Sequence, residues 1–168
     1  MAGIDLTQVS SDANAIDTFM QELLDRVVNI YDSYNMPIPE RRYWTMADPA
    51  VDCEQLVVSF IQAYIGAPGD EVTEPRRCND PRSATIHVSV SRKVPTAGPQ
   101  GQAPSAEFIQ MASRVQAYDA WILLHTAADL DTWATSGGFG LGVIATVETS
   151  APEGGFQTTV LTLTSAIV

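Results

Sequence analysis

Between residues 12 and 34 apolar side chains recur every three or four positions: Ile16, Phe19, Met20, Leu23, Leu24, Val27, Val28 and Tyr31. That spacing predicts an amphipathic helix, with Asp12 able to cap its start. Asp17, Glu22, Asp25 and Arg26 fall largely on the opposite face. Pro37 and Pro39 end the helix and force an extended connection. The short aromatic run RRYWTM at 41–46 predicts a strand, and Asp48-Pro49 a turn. Residues 54–65 predict a strand with apolar groups on both faces, Leu56, Val58 and Phe60 on one and Val57 and Ile61 on the other. Such a strand lies mid-sheet between two covering layers, or faces another subunit. Ala67-Pro68-Gly69-Asp70 signals a turn.

Residues 84–94 alternate. Ala84, Ile86, Val88, Val90 and Val94 point one way, and Thr85, His87, Ser89, Ser91 and Lys93 the other. This predicts a half-buried strand with one wet face. PTAGPQGQAP at 95–104 holds three prolines and two glycines in ten residues, which predicts a flexible loop. Ser105 is placed to cap a long helix running to about Thr135, with Glu107 suited to its N-terminal dipole. The apolar stripe of that helix is broad, with Trp121 and Leu124 outside any narrow seam, so it should be covered on much of its circumference. Gly137 and Gly138 stop it. Strands at 141–149 and 156–167 around SAPEGG predict a C-terminal β-hairpin. The expected fold class is α+β: one domain over 1–168, a mixed or antiparallel sheet carrying an N-terminal helix and a long helix, with 1–11 flexible.

The chain has 168 residues, 45% apolar and only 17% charged. About 25% charge is usual for a soluble domain, so a partner chain is expected to cover part of the surface. The net charge of −11 opposes phosphate gripping and binding to an anionic membrane. A channel through which DNA slides without sticking has this sign. No run of 18 apolar residues exists, and the N-terminus lacks a basic segment followed by an apolar one. The expected place of synthesis is a cytoplasm, where cysteines are thiols.

The candidate chemistry is thin. His87 and His125 sit in no ligand or nucleophile spacing and read as surface or packing residues. Cys53 and Cys78 lack the CxxC spacing of zinc or redox sites. They read as two small buried groups on neighbouring segments, and oxidation outside a cell could join them as a pair worth about 3–4 kcal/mol. GGFGLG at 137–142 follows a helix and opens a strand, the reverse of a nucleotide loop. The acidic groups Asp48, Asp52, Glu54 and Asp70, Glu71, Glu74 match no calcium loop and read as solvated. Asp129 and Asp131, two apart on a helix, point to different sides. Arg76, Arg77 and Arg82, like Arg41-Arg42, read as partners for carboxylates in the same chain or a neighbour. No catalytic residue, metal ligand or cofactor is expected.

The order of motifs has a resemblance. RRYWTM, then DCEQLVVSF, GAPGDE, RC and RSATIHVSVSRKVP, then DAWILLHTAADLDTW and PEGGFQTTVLTL, resembles tail terminator proteins of long, flexible-tailed phages that infect actinobacteria. The likeness covers roughly residues 20–168, and its most specific part is Asp52 to Pro95. It implies a lambda-like tail terminator fold and a virion structural protein, not an enzyme. The implied assembly is a homo-hexameric ring on the head-proximal end of the tail. Its implied partners are the major tail tube protein and a head-tail connector or stopper, with genome DNA passing through the lumen unbound. On that reading the loop with Asp70, Glu71, Glu74, Arg76 and Arg77, together with Arg82, contacts a neighbouring subunit or the tube. Segment 95–104 is a docking arm. A head-completion or stopper ring is the nearest alternative. A small enzyme built from distant carboxylates and an acidic DNA mimic are the others.

Overall fold

The computed structural model describes residues 11–69, 82–98, 101–133 and 144–167, with side chains from residue 16 and excluding 131–133 and 167. The elements run α1 (Ser11–Ser33), β1 (Arg41–Thr45), β2 (Gln55–Ile65), β3 (Arg82–Lys93), α2 (Ala106–Trp133), β4 (Ile144–Thr149) and β5 (Phe156–Ile167). The expected α+β class is observed: one five-stranded mixed sheet in the order β1-β2-β3-β5-β4, with both helices on one face. Only β1 and β2 are parallel. Helix α1 starts one residue earlier than expected, so Asp12 lies inside its first turn. The expected cap of α2 is present: Ser105 Oγ accepts the Phe108 N–H at 3.2 Å. The glycines at 137 and 138 lie outside the described residues.

The core lies between the helices and one sheet face. Helix α1 buries Phe19, Met20, Leu23, Leu24 and Val27; α2 buries Ile122, Leu123 and Leu130. Leu56, Val58 and Phe60 of β2, Ile86, Val88 and Val90 of β3, and Leu161 and Leu163 of β5 meet them. Strand β2 is mid-sheet, as its two apolar faces require. A bulge between Phe60 and Gln62 puts Ile61 outside the ladder and turns Gln62 to the face away from the helices. The expected wet face of β3 is drier than its polarity suggested. Ser89 and Ser91 are buried, sunk between the paired residues of β2 and β5. Ser91 and Thr158 hydroxyls bond at 2.9 Å. The crossover 46–53, which reaches this face through Asp48–His87 and Gln55–Ala50 contacts, adds to the shielding.

Residues 95–98 and 101–104 form no helix or strand, as expected, but they do hold a turn. Gly98 N–H bonds Gln102 O at 2.9 Å, and Gly101 N–H bonds Gly98 O at 2.8 Å. Gly101 adopts φ +74°, which a β-carbon would resist.

One residue breaks the alternation of β3. Arg92 occupies a core-facing position, 7% exposed. Its Nε and Nη2 grip the fully buried Asp119 of α2 at 3.0 and 2.9 Å. Its Nη2 also donates to the Pro37 carbonyl at 2.7 Å, just past α1. Tyr31 of α1 donates its hydroxyl to Asp119 at 2.7 Å. Sheet, α1 and α2 thus meet at one carboxylate. Burial, and then the adjacent Asp119 charge, push the Tyr31 phenol well above its usual value. Burial disfavours the Arg92 cation, but its hydrogen bond to Asp119 and the carboxylate charge outweigh that and raise its pKa.

Arg92→Met strands a buried carboxylate and should cost about 3–5 kcal/mol in urea unfolding, whereas Arg92→Met with Asp119→Leu should recover most of that loss. A second expectation concerns pH. The folded state holds the Tyr31 proton where the unfolded state releases it. Its contribution is therefore full below the unfolded pKa of about 10 and is lost as pH rises above it, by about 1.4 kcal/mol per pH unit. The alkaline fall in stability of Tyr31→Phe should be shallower than that of the parent by this one-proton slope.

Candidate functional site

The parallel pair β1–β2 needs a crossover, and residues 46–53 supply it on the face away from the helices. Val57 and Ser59 of β2 are fully buried there. Asp48 reaches β3 and meets His87 Nδ1 with both carboxylate oxygens, at 3.1 and 2.9 Å. Ser59 lies directly opposite His87 in the ladder. Serine, histidine and aspartate in this order invite comparison with an acyl-transfer triad. Such a nucleophile must be hydrogen-bonded to its base and open to substrate. Ser59 is 0% exposed, and its Oγ has no hydrogen-bond partner among the described residues. The Asp48–His87 contact is therefore a clasp that pins the crossover to the sheet.

A second polar corner lies at the start of β1. Arg41 Nη1 donates to Asp52 at 2.6 Å and to Cys53 Sγ at 3.5 Å, and the guanidinium lies 5.2 Å from the Tyr43 ring centre. Cys53 is a half-buried free thiol. Cys78, Asp70, Glu71, Glu74, Arg76 and Arg77 lie outside the described residues, as does GGFGLG. Arg82 is exposed at the first position of β3. Asp129 pairs with Arg26 at 2.9 Å, an α1–α2 contact rather than a catalytic pair. Glu54 accepts the Lys93 backbone N–H at 3.0 Å. Among the described residues no group of three or more His, Cys, Asp or Glu side chains could hold a metal ion.

A groove of about 830 Å³ lies between residues 95–98 and 102–104, the end of β3 and the first turns of α2. Its walls include Pro37, Val94, Pro104, Phe108 and Met111. Arg92 and Glu54 line it but are already engaged. Gln116 adds a buried amide whose Nε2 has no partner among the described residues.

The fourth feature is apolar. Six of the eleven large hydrophobic side chains that are exposed among the described residues lie on α2: Phe108, Ile109, Met111, Tyr118, Trp121 and Leu124. Trp121 stacks on His125 with ring centres 5.4 Å apart, and Tyr34 meets Trp121 edge-on at 4.8 Å. The broad apolar stripe of α2 signalled coverage on much of its circumference; among the described residues, the sheet and α1 bury one side and these side chains stand exposed. Compared with known proteins, the chain matches no family model and no curated sequence.

Asp48→Ala should loosen the crossover without unfolding the sheet. Amide exchange of residues 46–52 should speed up, while global stability falls by less than about 1 kcal/mol, since the Asp48 side chain is half open to solvent.

Proposed function

We propose that this chain is a virion structural protein, a phage tail terminator whose copies close into a hexameric ring on the head-proximal end of the tail tube. The reading starts from the motif order between Asp52 and Pro95 and the hairpin motif after it. The observation that carries it is the unlikeness of the two sheet edges. Strand β1 is five residues long, follows Pro39, and exposes Arg41 and Arg42. Strand β4 exposes Ile144, Thr146, Glu148 and Thr149 and has neither proline nor lysine. A closed ring uses two different patches on each subunit, and an edge that exposes Arg42 with one that exposes Glu148 fits that need.

The charge fits the role. Six copies at −11 each form an acidic annulus that repels DNA passing through it. The low charged fraction fits a subunit whose surface is largely shared with ring neighbours, tube protein and head connector.

The test is growth of tail tube protein with and without this chain, read as tube length by negative-stain microscopy. Arrest of growth, with the chain at one tube end, is expected. Unchanged length would contradict the reading, and binding to a portal-side adaptor instead would favour a stopper. Arg42→Glu should lower the fraction of capped tubes several-fold while leaving the circular dichroism spectrum intact.

A further inference from the structure

The outer row of α2 runs Arg114, Ala117, Trp121, Leu124 and Ala128, spaced three and four apart, all exposed. Apart from Arg114 it carries no charge, although the chain is strongly acidic. Tyr118 and Tyr34 flank it, 55% and 46% exposed, and Trp121 is 47% exposed. Aromatic side chains with an arginine and without lysine or glutamate are the composition of an interface centre. Half of Tyr34, Tyr118, Trp121 and Leu124 is open, roughly 400 Å² of apolar surface at about 200 Å² per side chain. That is about half of the ~800 Å² that each partner gives to a standard interface, and the exposed Arg114, Ala117 and Ala128 of the same row add to it.

The row also carries its own counterpart. A cavity of about 460 Å³ is lined by Ala117, Tyr34, Met36, Tyr118, Trp121 and Ile122. Ala117, one of the row's two alanines, and Trp121, its largest side chain, lie about one helical turn apart on the same face. Knob and hole on one face are what a two-fold contact requires. An antiparallel helix pair with its axis beside position 119 sets each Trp121 against the other chain's Ala117. The same register sets the stem of Arg114 against Leu124. The row holds no carboxylate, so the contact sets no two like acidic charges face to face.

We propose that this face is an isologous interface with a second copy of the chain, α2 packed antiparallel on α2, each Trp121 seated over the other's Ala117. The pairing does not rest on the terminator reading. A two-fold contact cannot build a six-fold ring, so the pair is the form of the free subunit before ring assembly.

The test uses full-length chains with Cys53 and Cys78 replaced by serine. One carries Ala117→Cys, the other Trp121→Cys, and the two are mixed and oxidised. A disulfide-linked dimer joining the two variants is expected, at several times the yield of either variant alone. The parent should scatter light as twice the 18.1 kDa chain. Trp121→Glu, an exposed change, should return it to the monomer mass with its circular dichroism unchanged. A monomeric parent at tens of micromolar, or no cross-link above the single-variant background, overturns the pairing. Ring formation is read separately on the tube, so either idea can fail alone.

Discussion

The ion pair between Arg92 and Asp119 is the contact on which the arrangement of layers depends. It brings β3, α2, the end of α1 and the Pro37 carbonyl to one point inside the protein. Desolvating two charges is costly, and a buried pair is poor evidence of net stability. Its value lies in position. An apolar core tolerates sliding of a helix over a sheet, whereas a bidentate guanidinium–carboxylate contact with a phenol donating to the same carboxylate tolerates very little. Together with the buried Ile122, Leu123 and Leu130, this contact fixes which face of α2 turns inward.

The elements were legible because their periods are clean. The 3.6-residue stripe of α1, the alternation of β3 and the cap at Ser105 each place an element to within a residue or two. The sheet order was less so, since nothing local in β4 or β5 says that β5 lies between β3 and β4. The buried ion pair had a signal: Arg92 falls on the apolar phase of β3, where a lone charge demands a partner. Its partner was not readable, because Asp119 is 27 residues away on another element. The Asp48–His87 clasp was hidden for the same reason, being formed across the sheet by residues 39 apart. Burial of Ser89 and Ser91 was missed because hydroxyl-rich alternation reads as wet when the neighbours that shield it are not known.

The surface explains the odd composition. A chain with few charges and a long, mainly apolar helix must cover that helix or share it. The chain covers one side with the sheet and α1 and leaves aromatic side chains standing on the other. The polar sites point inward or pair with their neighbours: Ser59 is sealed, Arg92 is held by Asp119, and His87 is held by Asp48. What the molecule offers to solvent is contact area, two unlike sheet edges and a strong negative charge. Those properties suit the proposed role of a subunit that assembles around something it must not bind.

The central claim is that this chain caps a tube as a ring. Cryo-electron microscopy of the purified protein mixed with its tail tube protein tests it most directly. Six-fold particles seated on one end of each tube, with β1 of one subunit beside β4 of the next, are the result the account predicts. Tubes with bare ends, beside a chain that stays single or only paired, would contradict it.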